Sequence, residues 1–89
     1  MYFTYIAYNP HKDKFSIGVT INLQRRKKIL CHNNEGCRMV YIDEFESSEK
    51  AIGRENELMN LSNGLLRKLI DQTNPLWLDL LHTRNSNLK

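Results

Sequence analysis

From Tyr2 to Tyr8 the side chains alternate, with Tyr2, Thr4, Ile6 and Tyr8 on one side and Phe3, Tyr5 and Ala7 on the other. A period of two is strand geometry. Asn9-Pro10-His11-Lys12-Asp13 supplies turn chemistry, and Lys14 to Val19 alternates again, with Phe15, Ile17 and Val19 opposite Ser16 and Gly18. The pattern predicts a hairpin, so this first pair of strands is expected to be antiparallel. Asn22 is placed to cap a helix from Leu23 to about Cys31, in which Leu23, Arg26 and Leu30 recur at helical spacing. His32-Asn33-Asn34-Glu35-Gly36 then breaks the pattern, and Met39 to Phe45 predicts a third strand. Glu46-Ser47-Ser48 caps a second helix, from about Glu49 to Asn60, whose apolar stripe is Ala51, Ile52, Leu58 and Met59. After Ser62-Asn63-Gly64, the spacing of Leu65, Leu66, Leu69 and Ile70 marks a third helix. Pro75 ends it near Asn74 by disfavouring helix at the preceding residue. Leu76 to Leu80 is expected to lie back on the body as a short turn.

The order β-β-α-β-α-α predicts an α+β fold, a small three-stranded antiparallel or mixed sheet flanked by about three helices. A chain of 89 residues supports one domain, placed over 1–81, with a polar tail over 82–89 expected to fray. No apolar run is long enough to span a bilayer, and Met1 to Thr4 carries no leader-like pattern. The cytoplasm is therefore the expected compartment, with no membrane partner, as a monomer or weak dimer. Cys31 and Cys37 are then expected to be free thiols, although spacing alone leaves a disulfide open. With His32 they form no paired Cys-x-x-Cys, so zinc is weakly signalled.

Charge changes the picture at two places. Arg25-Arg26-Lys27-Lys28 is a compact basic run within a net charge of +3. Such a run suits a polyanion such as DNA, and it equally suits a solvated helix face. Arg26 falls on the apolar stripe of the first helix and Glu55 on that of the second. Two readings fit: an Arg–Glu pair that satisfies itself, or a shared site in which a guanidinium holds phosphate and a carboxylate holds a metal.

The ordered set Phe3-Thr4-Tyr5-Ile6, Phe15-Ser16-Ile17-Gly18-Val19-Thr20, Asn22 to Arg26, Met39-Val40-Tyr41, Ala51-Ile52-Gly53-Arg54-Glu55 and Asn74-Pro75-Leu76-Trp77-Leu78-Asp79-Leu80 resembles the GIY-YIG nuclease superfamily, in its small single-domain branch. The resemblance runs along nearly the whole chain. It implies an endonuclease that hydrolyses phosphodiester bonds of DNA or another nucleic acid with a divalent metal, Mg²⁺ or Mn²⁺, and no organic cofactor. It matches Tyr5, Arg26, Glu55 and Asn74 to the catalytic set, with Glu55 on the metal, and gives Arg25, Arg26, Lys27 and Lys28 to nucleic-acid binding. Two positions depart from the pattern. Ser16 stands where a tyrosine is expected before Ile-Gly, and Leu30 where a His or Tyr is expected one turn after the arginine. The expected activity is accordingly weak or lost, and the alternative is a catalytically defective nucleic-acid-binding domain of the same fold. Tyr8, Tyr41 and His32 are the nearest substitutes in sequence.

Overall fold

A computed structural model describes residues 1–31 and 36–81. His32 and the expected tail over 82–89 lie outside the described residues. Three strands, β1 (Tyr2–Asn9), β2 (Lys14–Thr20) and β3 (Arg38–Phe45), form one sheet in the order β2-β1-β3. Both pairings are antiparallel. Three helices complete the fold: α1 (Leu23–Leu30), α2 (Ser48–Met59) and α3 (Asn63–Thr73). Each is capped as its sequence directs, because the side chains of Asn22, Ser47 and Ser62 accept from the backbone N–H three residues on. Among the described residues no helix is long and apolar enough to cross a membrane.

The central strand is buried on both faces, with Thr4, Tyr5, Ile6 and Ala7 all in the interior. On one face Ile6, Val40, Leu58, Leu66 and Ile70 form a cluster with α2 and α3. On the other, Tyr5, Ala7, Leu23, Met39 and Leu81 pack beneath α1. Thr4 is fully buried, and its hydroxyl donates to the Ala51 carbonyl at 2.7 Å, tying β1 to α2.

The expected stripe of α2 is corrected in part. Ala51 and Leu58 are buried, but Ile52 and Met59 point to solvent. An apolar residue at the flank of a short helix costs little when left exposed, so periodicity marks the stripe more widely than packing uses it. The expectation of free thiols is also corrected, since Cys31 and Cys37 form a disulfide with a Cα–Cα distance of 5.5 Å. Folding sets Cys31 as the C-cap of α1 and Cys37 just before β3, and this approach is not visible in cysteine spacing.

Candidate active site

The site starts from the hairpin register. Counting back from the turn pairs Tyr5 with Gly18. An ideal Cβ on Gly18 would lie 2.4 Å from the Tyr5 hydroxyl oxygen and 2.8 Å from Cζ. The absence of a side chain at 18 therefore lets the tyrosine ring cross the edge strand, a close approach that only glycine permits. Although Tyr5 is only 4% exposed, its hydroxyl has no hydrogen bond among the described residues. No buried polar side-chain atom there lacks a partner, so the hydroxyl must reach solvent.

Two charged side chains act on that hydroxyl. Arg26 comes from the first turns of α1, which begins directly after β2, and Glu55 from α2, which lies across β1 and β2. Burial pushes the Tyr5 phenol above its ordinary value of 10.0; Arg26 pulls it down and Glu55 pushes it up. Burial is the largest of the three, so the phenol stays protonated at neutral pH. Arg26 and Glu55 are both half-buried, yet among the described residues neither enters an ion pair. The reading of Arg26 and Glu55 as a self-satisfying salt bridge is thus not what the fold forms.

Asn74 stands apart. It is 6% exposed, and its Nδ2 donates to the Val40 carbonyl at 3.1 Å and the Leu78 carbonyl at 2.9 Å, while Oδ1 accepts from the Leu78 N–H at 3.1 Å. Val40 is the residue skipped where the β1–β3 register shifts. The amide thus fastens the end of α3 to β3 and to the segment that follows.

The basic run is divided. Arg25 and Lys28 are exposed, whereas Lys27 is half-buried and paired with Asp79, whose Oδ1 also accepts from the Met39 N–H. Lys27 is therefore engaged in holding α1 to the chain after α3. Of the substitutes for the absent hydroxyls, Tyr8 donates to Asp13 and packs its ring against Phe15 and Trp77. Tyr41 donates to Asp43 at 2.9 Å and accepts from Arg54 at 2.8 Å. Neither is free for the Tyr5 site.

Ser16 and Leu30 line a shared cleft of about 200 Å³ together with Ala7, Lys12 and Lys14. Sequence reading passed over Gly18, Lys12 and Lys14 as parts of a site. The hairpin register carries the signal for Gly18, but the cleft needs α1 in place beside the turn. No protein family, curated protein or solved structure matches the chain.

Proposed function

We propose that the Tyr5, Arg26 and Glu55 constellation hydrolyses phosphodiester bonds of nucleic acid with a divalent cation, at low rate, in a domain of GIY-YIG nuclease type. The observation that carries this reading is that a guanidinium and a carboxylate from two different helices both act electrostatically on the phenol of a central-strand tyrosine, and neither is spent in an ion pair among the described residues. Arg26 offers a fork of donors to a phosphate and stabilises the charge that builds there during cleavage. Tyr5, held protonated by burial, donates a hydrogen bond to a phosphate oxygen or orients a water.

Glu55 is the residue that would hold Mg²⁺ or Mn²⁺. Among the described residues no group of three or more His, Cys, Asp or Glu could hold a metal. A lone, partly exposed carboxylate still fits Mg²⁺, which commonly takes one or two carboxylates and completes its shell with water and substrate oxygens. Such a cation, when bound, polarises the phosphoryl group and acidifies a bound water. Asn74 takes no part in this proposal, because its amide is fully used within the fold. A second reading, a binding domain that has lost cleavage, is favoured by Ser16 and Leu30 and by the engagement of Tyr8 and Tyr41 elsewhere.

The test pairs a cleavage assay with Mn²⁺ broadening of backbone NMR signals. Mn²⁺ is expected to broaden the signals around Glu55, and Glu55→Gln to abolish both that broadening and cleavage. Arg26→Ala should lower the rate by about 10²-fold or more. Broadening and nucleic-acid binding without cleavage would establish the second reading. Cleavage that persists in Glu55→Gln would overturn the assignment of Glu55.

A further inference from the structure

The cleft beside Tyr5 has its own chemistry. Ala7 and Ser16 face each other across the β1–β2 pairing, and two small side chains there leave a depression rather than a packed surface. Leu30, four residues beyond Arg26 on α1, forms an apolar wall. Lys12 and Lys14 stand exposed at the rim, and among the described residues neither enters an ion pair. Among the described residues no acidic side chain lines the cleft. Its position is fixed by the strand, because Ser16 lies two residues from Gly18 on the same face, or about 7 Å along β2.

The apolar Leu30 beside the disulfide sulfur of Cys37, the polar Ser16 and Asn9, and a rim of two cations call for a ligand that is weakly polar at one end and anionic at the other. The volume of about 200 Å³ lies below the roughly 300–1,000 Å³ of a pocket for a whole drug-sized ligand. It suits one group of a longer chain. Resting on the nuclease reading above, we propose that this cleft seats the base of one unpaired nucleotide of a single-stranded nucleic acid. Lys12 and Lys14 hold its phosphates, so that the neighbouring phosphodiester reaches Tyr5 and Arg26. The preferred substrate is then single-stranded or locally unpaired. A paired base enters only by leaving its stack, at a cost of a few kcal/mol.

The experiment uses the full chain carrying Glu55→Gln, so that binding is read whether or not cleavage exists. The probe is a short oligonucleotide with a fluorescent base analogue, offered as a single strand and as a duplex of the same sequence at low salt. The single strand is expected to bind at least about tenfold tighter, with a change in the analogue's emission as it unstacks. Ser16→Trp, at an exposed position where a bulky side chain can be carried, should fill the cleft and erase the preference. Lys12→Glu with Lys14→Glu should weaken single-strand binding by about tenfold or more while leaving the fold intact. Equal or tighter binding of the duplex overturns the inference and leaves the nuclease reading standing, as does a preference that survives Ser16→Trp. Failure of both forms to bind at low salt overturns both.

Discussion

An alanine at position 18 would bring a Cβ to 2.4 Å from the Tyr5 hydroxyl oxygen, and because Cζ lies at 2.8 Å the ring itself has to move. Tyr5 is almost wholly buried, so the movement disturbs the packing with Leu23 and Met39. Gly18→Ala is therefore expected to destabilise the fold by about 1–3 kcal/mol in denaturant unfolding, as overpacking does, and to reduce cleavage with it. Tyr5→Phe separates the two effects. The hydroxyl has no hydrogen bond among the described residues, so its removal should change stability by less than about 1 kcal/mol. Cleavage should nonetheless fall by about 10²-fold or more. A Tyr5→Phe protein with full activity would remove the phenol from the site. The same residue shapes the alkaline limit. Burial raises the phenols of both Tyr5 and Tyr41 above 10.0, with Arg26 opposing it at the first and Arg54 at the second. A raised folded-state value means that the folded protein holds these protons more tightly than the unfolded chain. The associated stability is fully present below pH 10 and is lost as pH rises through the raised values. Tyr5→Phe should make the loss of stability above pH 10 less steep in circular dichroism, and an unchanged slope would contradict the burial of this phenol.

At the level of elements, alternation and capping were enough to place all six in order, because the period marks each element even where, as at Ile52 and Met59 of α2, packing uses only part of the stripe. Arg26 and Glu55 were legible for the same reason, as charges on stripes that otherwise carry leucine and alanine. Asn74 shows the limit. Asn before Pro reads as a helix stop or as a catalytic amide, and only the skipped Val40 and the return of the chain at Leu78 reveal what its amide bonds. The disulfide, the Lys27–Asp79 pair and the cleft likewise depend on where helices meet strands, and local sequence does not encode that meeting in any one residue. Asn74→Ala would leave the Val40 and Leu78 carbonyls and the Leu78 N–H without a side-chain partner. It is expected to lower stability by about 1–3 kcal/mol, because the buried Val40 carbonyl is left without its partner and the part-buried bonds to Leu78 are lost with it. The folded fraction of Asn74→Ala, measured where the protein remains native, should cleave at close to the wild-type rate. A large loss of rate in fully folded Asn74→Ala would return this residue to the catalytic set.

Across the whole molecule the net charge of +3 understates the field that a polyanion meets. Several cations are already used: Lys27 by Asp79, Arg54 by Tyr41, Asp43 and Glu57, and Arg67 by Asp13 among the rings of Tyr8, Phe15 and Trp77. Arg25, Lys28, Lys12 and Lys14 are exposed and, among the described residues, enter no ion pair, and the half-buried Arg26 likewise enters none. The first two lie on α1 and the last two on the hairpin, where Lys12 and Lys14 stand at the rim of the cleft. Each phosphate neutralised by such a cation releases condensed counterions, and a single strand returns about 0.7 of a unit of log–log salt slope per contact. If the four exposed cations and Arg26 all engage, the slope for a single-stranded oligonucleotide should be about −3 to −4. Lys12→Glu with Lys14→Glu should make it shallower by about one to one and a half. Lys27→Ala should leave the slope almost unchanged but lower stability, because its partner is Asp79 and not a phosphate. A slope near zero in the unmodified protein would show that these cations serve only as a solvated surface. A slope that falls with Lys27→Ala and not with the hairpin lysines would place the bound strand on the other side of α1.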